Sequence, residues 1–157
     1  MLNHEHFLNK AVQLAVKNVE NNGGPFAAII VDKKGEIVGK GQNRVTDTND
    51  PTAHAEVQAI RDACQNLHSF QLTDCVLYTS CEPCPMCLGA IYWARLEKIY
   101  FAADQKLAAA GGFDDAFIYE EINKKHNERS IPFYSISLKD KNLPFEKWAE
   151  LESKIEY

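Results

Sequence analysis

No run among the 157 residues approaches the ~20 consecutive apolar positions that a membrane helix needs. The opening stretch, MLNHEHFLNK, lacks the charged-then-apolar order of a signal peptide, so a cytoplasmic protein with no membrane partner is expected. Lysine and arginine form no dense block, and the formal net charge is −5. The cationic footprint of a phosphate-backbone binder is missing, and no nucleic-acid partner is expected. No internal repeat, low-complexity stretch or linker divides the chain, which reads as one domain over residues 1–157. Cysteines are few: five in all, an odd number, with three of them inside seven residues. That pattern argues against a disulfide framework and puts metal binding or catalysis first.

What is present alternates between helical and extended patterns. Phe7, Ala11, Leu14, Ala15 and Val19 recur at helical spacing behind Asn3, a natural N-cap. FAAIIV and EIVGKGQN flank the turn signal DKKG and predict a β-hairpin, while the polar, proline-containing 44–53 stretch predicts a loop. HAEVQAIRDACQNL sets Ala55, Ala59 and Ala63 on one helical face. CVLYTS, CPMCLGAIYWAR and KIYFAA follow as strand, helix and strand, a βαβ unit that implies parallel pairing. DDAFIYEEI predicts a helix, IPFYSISL an extended segment, and LPFEKWAELESKI a last helix with Pro144 at its start. The fold class is α/β, with a mixed sheet between helices.

The stretch TSCEPCPMCLGA carries the chemistry. A ferredoxin-type cluster needs a fourth cysteine soon after the third, and Leu88 to Ala94 contains none. A redox dithiol would not call for a metal-ligating partner elsewhere, yet HAE at 54–56 supplies an imidazole and a carboxylate at another helix start. His54, Cys84 and Cys87 make three ligands for tetrahedral zinc, with the fourth position left for water. Cys84 and Cys87 lie three apart at a helix start, where both sulfurs can turn to one side and the N-terminus favours thiolates. Glu56 stands two residues from His54, close enough to carry a proton for a water that zinc makes reactive at neutral pH. Cys64 and Cys75 read as small buried hydrophobes, and Cys81 as either another one or a neighbour of the metal.

His-x-Glu followed by Pro-Cys-x-x-Cys is a signature of zinc-dependent nucleobase deaminases. Standing here as HAE and PCPMC, it makes the chain resemble the cytidine deaminase superfamily. That resemblance implies a three-layer α/β/α sandwich around a five-stranded mixed sheet. GGPFAAIIV, GQNRV, DPTAHAEVQAIRDAC, YTSCEPCPMCLGAIYWAR, GFDDAFIYEEI and the terminal EY together resemble bacterial guanine deaminases almost end to end. The implied reaction is hydrolysis of guanine to xanthine and ammonia with one Zn2+ per subunit. Glu56 is then the proton shuttle and Asp115 a second catalytic acid binding the guanine amine. Phe26, Asn43, Ala55, Trp93 and Tyr157 are implied to surround the base. The same resemblance implies a homodimer in which the C-terminal segment, about 140–157, is exchanged so that Tyr157 reaches the partner's site. A tRNA adenosine deaminase, or a deaminase of cytosine or a triazine, would share the zinc signature. A structural zinc module would normally present four protein ligands.

Overall fold

The computed structural model describes residues 2–157 and divides them into two units, 1–116 and 117–157. In the first, α1 (His4–Glu20) starts at Asn3, whose side chain accepts a hydrogen bond from the His6 amide. Strands β1 (Ala27–Asp32) and β2 (Ile37–Gln42) form the expected hairpin; the Asp32 side chain collects the amides of Lys34 and Glu36 at 2.9 Å, and Gly35 takes the positive φ of 86° that the turn needs. Residues 44–53, expected as loop, contain a single turn of helix, α2 (Val45–Thr48), ended by Asn49 in the left-handed region. The chain continues through α3 (Ala55–Leu67), β3 (Cys75–Cys81), α4 (Pro85–Trp93), β4 (Lys98–Ala103) and α5 (Gln105–Ala110).

The sheet order is β2-β1-β3-β4, antiparallel except for the β3/β4 pair, which is parallel as the βαβ reading required. Alternation along the strands makes two cores. Ala28, Ile30 and Leu77 face α3 and α4, packing on Ala55, Ala59, Ala63, Ile91 and Ala94. Ile29, Val31, Val76 and Tyr78 face the other way, onto Phe7 of α1 with Leu8 and Leu14 alongside. Each isoleucine buried this fully stabilises the fold by about 1.5–3 kcal/mol. The result is the α/β/α sandwich with a mixed sheet. Its sheet has four strands among the described residues, where five were expected.

Two glycines let α3 lie close on β2. A Cβ on Gly39 would meet the Ala59 carbonyl oxygen at 2.6 Å, and one on Gly41 would meet the Ala55 carbonyl oxygen at 2.0 Å. The same approach covers the outer edge of β2. The Asp62 carboxylate accepts the Lys40 amide at 2.8 Å, and the Asn66 amide donates to the Val38 carbonyl at 2.9 Å. Residues four apart on a helix thus match groups two apart on a strand, since both steps span about 6–7 Å. On the opposite edge, β4 pairs with β3 alone within the sheet, and Phe101 is exposed.

The second unit holds most of α6 (Ala116–Asn123), a 3₁₀ turn at His126–Glu128 and α7 (Leu143–Glu150). Glu121 organises the turn that follows α6: its carboxylate pairs with Lys124 and accepts the Ser130 amide and hydroxyl at 2.6 and 2.9 Å. These contacts, with Lys124 first, hold the Glu121 carboxyl down at about 2. Residues 131–138, expected to be extended, have no strand partner. The last helix is shorter than expected, ending at Glu150.

Candidate active site

The site is assembled at the starts of two helices. His54 is the N-cap of α3 and Cys84 the N-cap of α4, both with extended backbone, and Pro85 fixes the first turn of α4. Cys87, one turn on, is fully buried. His54 Nδ1 lies 3.5 Å from Cys84 Sγ and 3.5 Å from Cys87 Sγ, and the three ligand atoms fall within 4.8 Å of one another. Zinc bonds of ~2.3 Å to sulfur and ~2.0–2.1 Å to nitrogen, set at the tetrahedral angle, require an N···S separation of about 3.5 Å. The donor set fits one zinc ion, and the three residues named from sequence are the ones brought together.

Their electrostatics are coupled through short contacts. The Cys84 thiol is drawn down to about 4, first by its hydrogen bond with Cys87, against the opposing pull of burial, and then by His54. Cys87 is pushed the other way, by the same hydrogen bond and by burial, so the pair shares one proton. His54 is raised, chiefly by its hydrogen bond to Cys84. The Cys84 thiolate attracts a cation, and any protons on His54 and Cys87 would leave as a metal binds.

Glu56 sits in the first turn of α3, 6% exposed, and Cys87 Sγ donates to its Oε2 at 3.5 Å. Burial raises its pKa above the ordinary glutamate value. A carboxyl whose charged form is disfavoured by burial takes up a proton more readily than a free glutamate, which suits a proton carrier. Ala55, wholly buried between His54 and Glu56, forms the floor against which Gly41 packs. Cys81 ends β3 and is pushed up to about 11, by burial first and then by Glu56, so it stays a thiol beside the metal ligands.

The surrounding residues come from three loops. Asn43 follows β2, and its Oδ1 accepts the Val45 amide at 3.2 Å. The buried Asn18 amide clamps this region by donating to the Gly24 and Asn43 carbonyls at 2.8 and 2.9 Å. Phe26 meets Phe113 edge to face, with centroids 4.9 Å apart. Phe113 belongs to the GFDD segment, launched from α5 by Gly111 and by Gly112 at φ 94°. Asp114 caps the next helix by accepting the Ala116 amide, which leaves Asp115 to turn elsewhere. Asp115 acts electrostatically on both His54 and Cys81, and its Oδ1 accepts from Gln105 Nε2 at 2.6 Å. Trp93 closes α4 six residues beyond Cys87, about 240° further round the helix, and is 67% exposed. Tyr157 ends the second unit, 71% exposed.

Sequence reasoning missed Asn18, Gln105 and Glu82. Asn18 was detectable as a polar residue on an otherwise apolar helical stripe; the other two gave no local signal.

A histidine, two cysteines and a buried glutamate at paired helix starts define a zinc-dependent deaminase. Residues 1–103 match the cytidine and deoxycytidylate deaminase zinc-binding region, and the chain belongs to that family. Over 157 residues it is 57% identical to the guanine deaminase of Bacillus subtilis, covering 99% of this chain and 100% of that one. The X-ray structure of guanine deaminase from Bacillus subtilis matches with a TM-score of 0.97 across 99% of both chains. A guanine deaminase structure from Nitrosomonas europaea matches at a TM-score of 0.70 and 32% identity, over 73% of this chain and 66% of that one. The tRNA-specific adenosine deaminase of Aquifex aeolicus is 45% identical over 102 residues, 65% of this chain and 67% of its own.

Proposed function

We infer that this chain is a guanine deaminase: it hydrolyses guanine to xanthine and ammonia, with one zinc ion held by His54, Cys84 and Cys87. The observation that carries the substrate is the extent of the match. Likeness to the tRNA-specific adenosine deaminase spans 102 residues, whereas likeness to the guanine deaminase runs through the GFDD segment to the C-terminus. The net charge of −5 also suits a small base better than a polynucleotide. No helix among the described residues is long and apolar enough to cross a membrane. A reducing cytoplasm, in which the thiol ligands stay available, completes the reading.

When bound, zinc supplies a water activated for attack at neutral pH. Glu56 would pass one proton from the attacking water to the ring nitrogen and then carry the proton of the newly added hydroxyl to the amine, which would depart as ammonia while the ring carbon keeps the oxygen. Its buried position, and the elevation that burial causes, support this role. Asp115 accepts hydrogen bonds from the guanine amine and helps it leave protonated. Asn43 offers both donor and acceptor to the base edge, Phe26 and Trp93 flank the flat ring, and Ala55 lies beneath it.

The working unit we propose is a homodimer that exchanges its C-terminal segment, about 140–157, so that Tyr157 closes the partner's site. Three features support it. Tyr134, Ile136 and Leu138 alternate like one face of a strand yet are 77%, 79% and 64% exposed. Phe145 and Trp148 of α7 are exposed as well. The first unit carries an apolar groove of about 440 Å³ between α1 and β4, lined by Val12, Val16, Val19, Ala102 and Leu107.

Ammonia release from a panel of free bases, nucleosides and a tRNA anticodon stem tests the activity. Guanine is expected to exceed adenine and cytosine by a wide margin. Inosine in tRNA without xanthine from guanine would transfer the chain to the tRNA deaminases.

A further inference from the structure

Asp115 stands on an exposed loop after two glycines, a poor foundation for a group that must meet the amine in one orientation. Its carboxylate is nevertheless fixed. Gln105 Nε2 donates to Asp115 Oδ1 at 2.6 Å, and the backbone amide of Gln105 donates to Glu82 Oε2 at 2.9 Å. Glu82 in turn lies two residues before Cys84, and its own amide donates to the Ala103 carbonyl at 2.8 Å. Gln105 opens α5, where the Asp104 side chain caps the helix through the Leu107 amide at 2.9 Å. A continuous line of bonds therefore runs from the metal-ligand loop through Glu82 and Gln105 to Asp115.

We propose that Gln105 is a positioning residue for deamination, holding the Asp115 carboxylate at a fixed offset from the zinc ligands, with Glu82 anchoring Gln105. This rests on the role given to Asp115 above. An amide donor suits the task because it occupies one carboxylate oxygen and leaves the other to face substrate, without adding a charge that would compete for the same acid. Phe113 set edge to face against Phe26 steadies the loop as a whole, but an apolar contact cannot choose the rotation of a carboxylate two residues away. A group set with this care raises kcat more than it lowers KM, since its interaction matures as the amine gains a proton.

The test compares Gln105→Met, Asp115→Asn and the double variant as zinc-loaded enzymes, measuring kcat and KM for guanine, zinc content and thermal midpoint. Gln105→Met is expected to lose about tenfold or more in kcat with KM within about threefold and zinc retained, and to add little once Asp115→Asn is present. A loop-stapling role alone would instead lower the thermal midpoint equally in both backgrounds and spare kcat. Should Gln105→Met fail to hold zinc, Gln105→Ala, well tolerated at a helix start, replaces it in the same cycle. Parent-like kcat, a loss confined to KM, or full additivity with an impaired Asp115→Asn would overturn the inference while leaving Asp115 in place. Unimpaired turnover by Asp115→Asn alone would overturn both.

Discussion

Residues 117–157 are as rich in branched aliphatic side chains as residues 1–116 and about twice as rich in aromatic ones, yet the two end in opposite states. Among the described residues the first unit contains every buried position, the last being Ala94, and no residue of the second is buried. The first holds the three candidate metal ligands, both cores and the buried Glu56. The second has strand-like alternation at 134–138 and an amphipathic helix at 143–150 with their apolar faces exposed. A sequence patterned for burial that stays exposed in one chain is what the proposed exchange with a second copy would cover. Fold and candidate metal ligands belong to the first unit, and the proposal of an exchanged segment concerns the second.

The division is broken most severely at the metal. Cys87→Ala is expected to abolish zinc binding and turnover together, whereas Cys64→Ala keeps both; metal analysis of the purified proteins decides, and full zinc in Cys87→Ala would refute the ligand set. Next comes Glu56→Gln, which should retain zinc and fold but lose roughly 10²–10⁴-fold or more in turnover. A rate within tenfold of the parent would remove Glu56 from the mechanism.

The second unit is tested by deleting Lys154 to Tyr157. Zinc content and thermal midpoint should hold while guanine turnover drops well below that of the parent. Mixing this deletion with Glu56→Gln subunits should then restore activity, because an exchanged tail gives one site both an intact Glu56 and a complete closure. A mixture that stays inactive after confirmed subunit exchange would show that tails are not donated in trans.

Smaller effects separate the two parts of the first unit. Gly41→Ala should cost about 1–3 kcal/mol of stability and weaken zinc binding, because its Cβ would push on the Ala55 carbonyl beside His54. Metal-free protein offers the finest test. Burial raises the Glu56 pKa in the folded state, so the folded protein binds this proton more tightly than the unfolded one. That contribution is complete below the ordinary value of 4.5 and is lost as pH rises through the folded value. Metal-free Glu56→Gln should therefore melt above the metal-free parent at neutral and alkaline pH, with the gap closing towards pH 4.5. An equal gap at every pH would assign the effect to shape instead of charge.

Much of the first unit was legible in the sequence because its signals are local. Asn3 caps α1, DKKG turns the hairpin, and HAE and PCPMC place three ligands on two helix starts through spacing alone. What escaped was set by contacts distant in the chain. The six-residue α5 is too short for a periodic signal, and Gln105 matters through a bond to a residue ten positions away. The expected fifth strand failed for a different reason: IPFYSISL has the right alternation, but a strand exists only where a neighbour supplies donors and acceptors.

The covered edge of β2 carries a consequence for behaviour at high concentration. With Asp62 and Asn66 already engaging the outward amide of Lys40 and carbonyl of Val38, that border of the sheet offers fewer free groups to template another strand. Edge-to-edge pairing between copies is therefore disfavoured on this side. A particle sticky on one flank pairs and stops, whereas one sticky on both would polymerise. Two side chains of a single helix turn are thus expected to weigh against edge-to-edge growth of this enzyme into fibres.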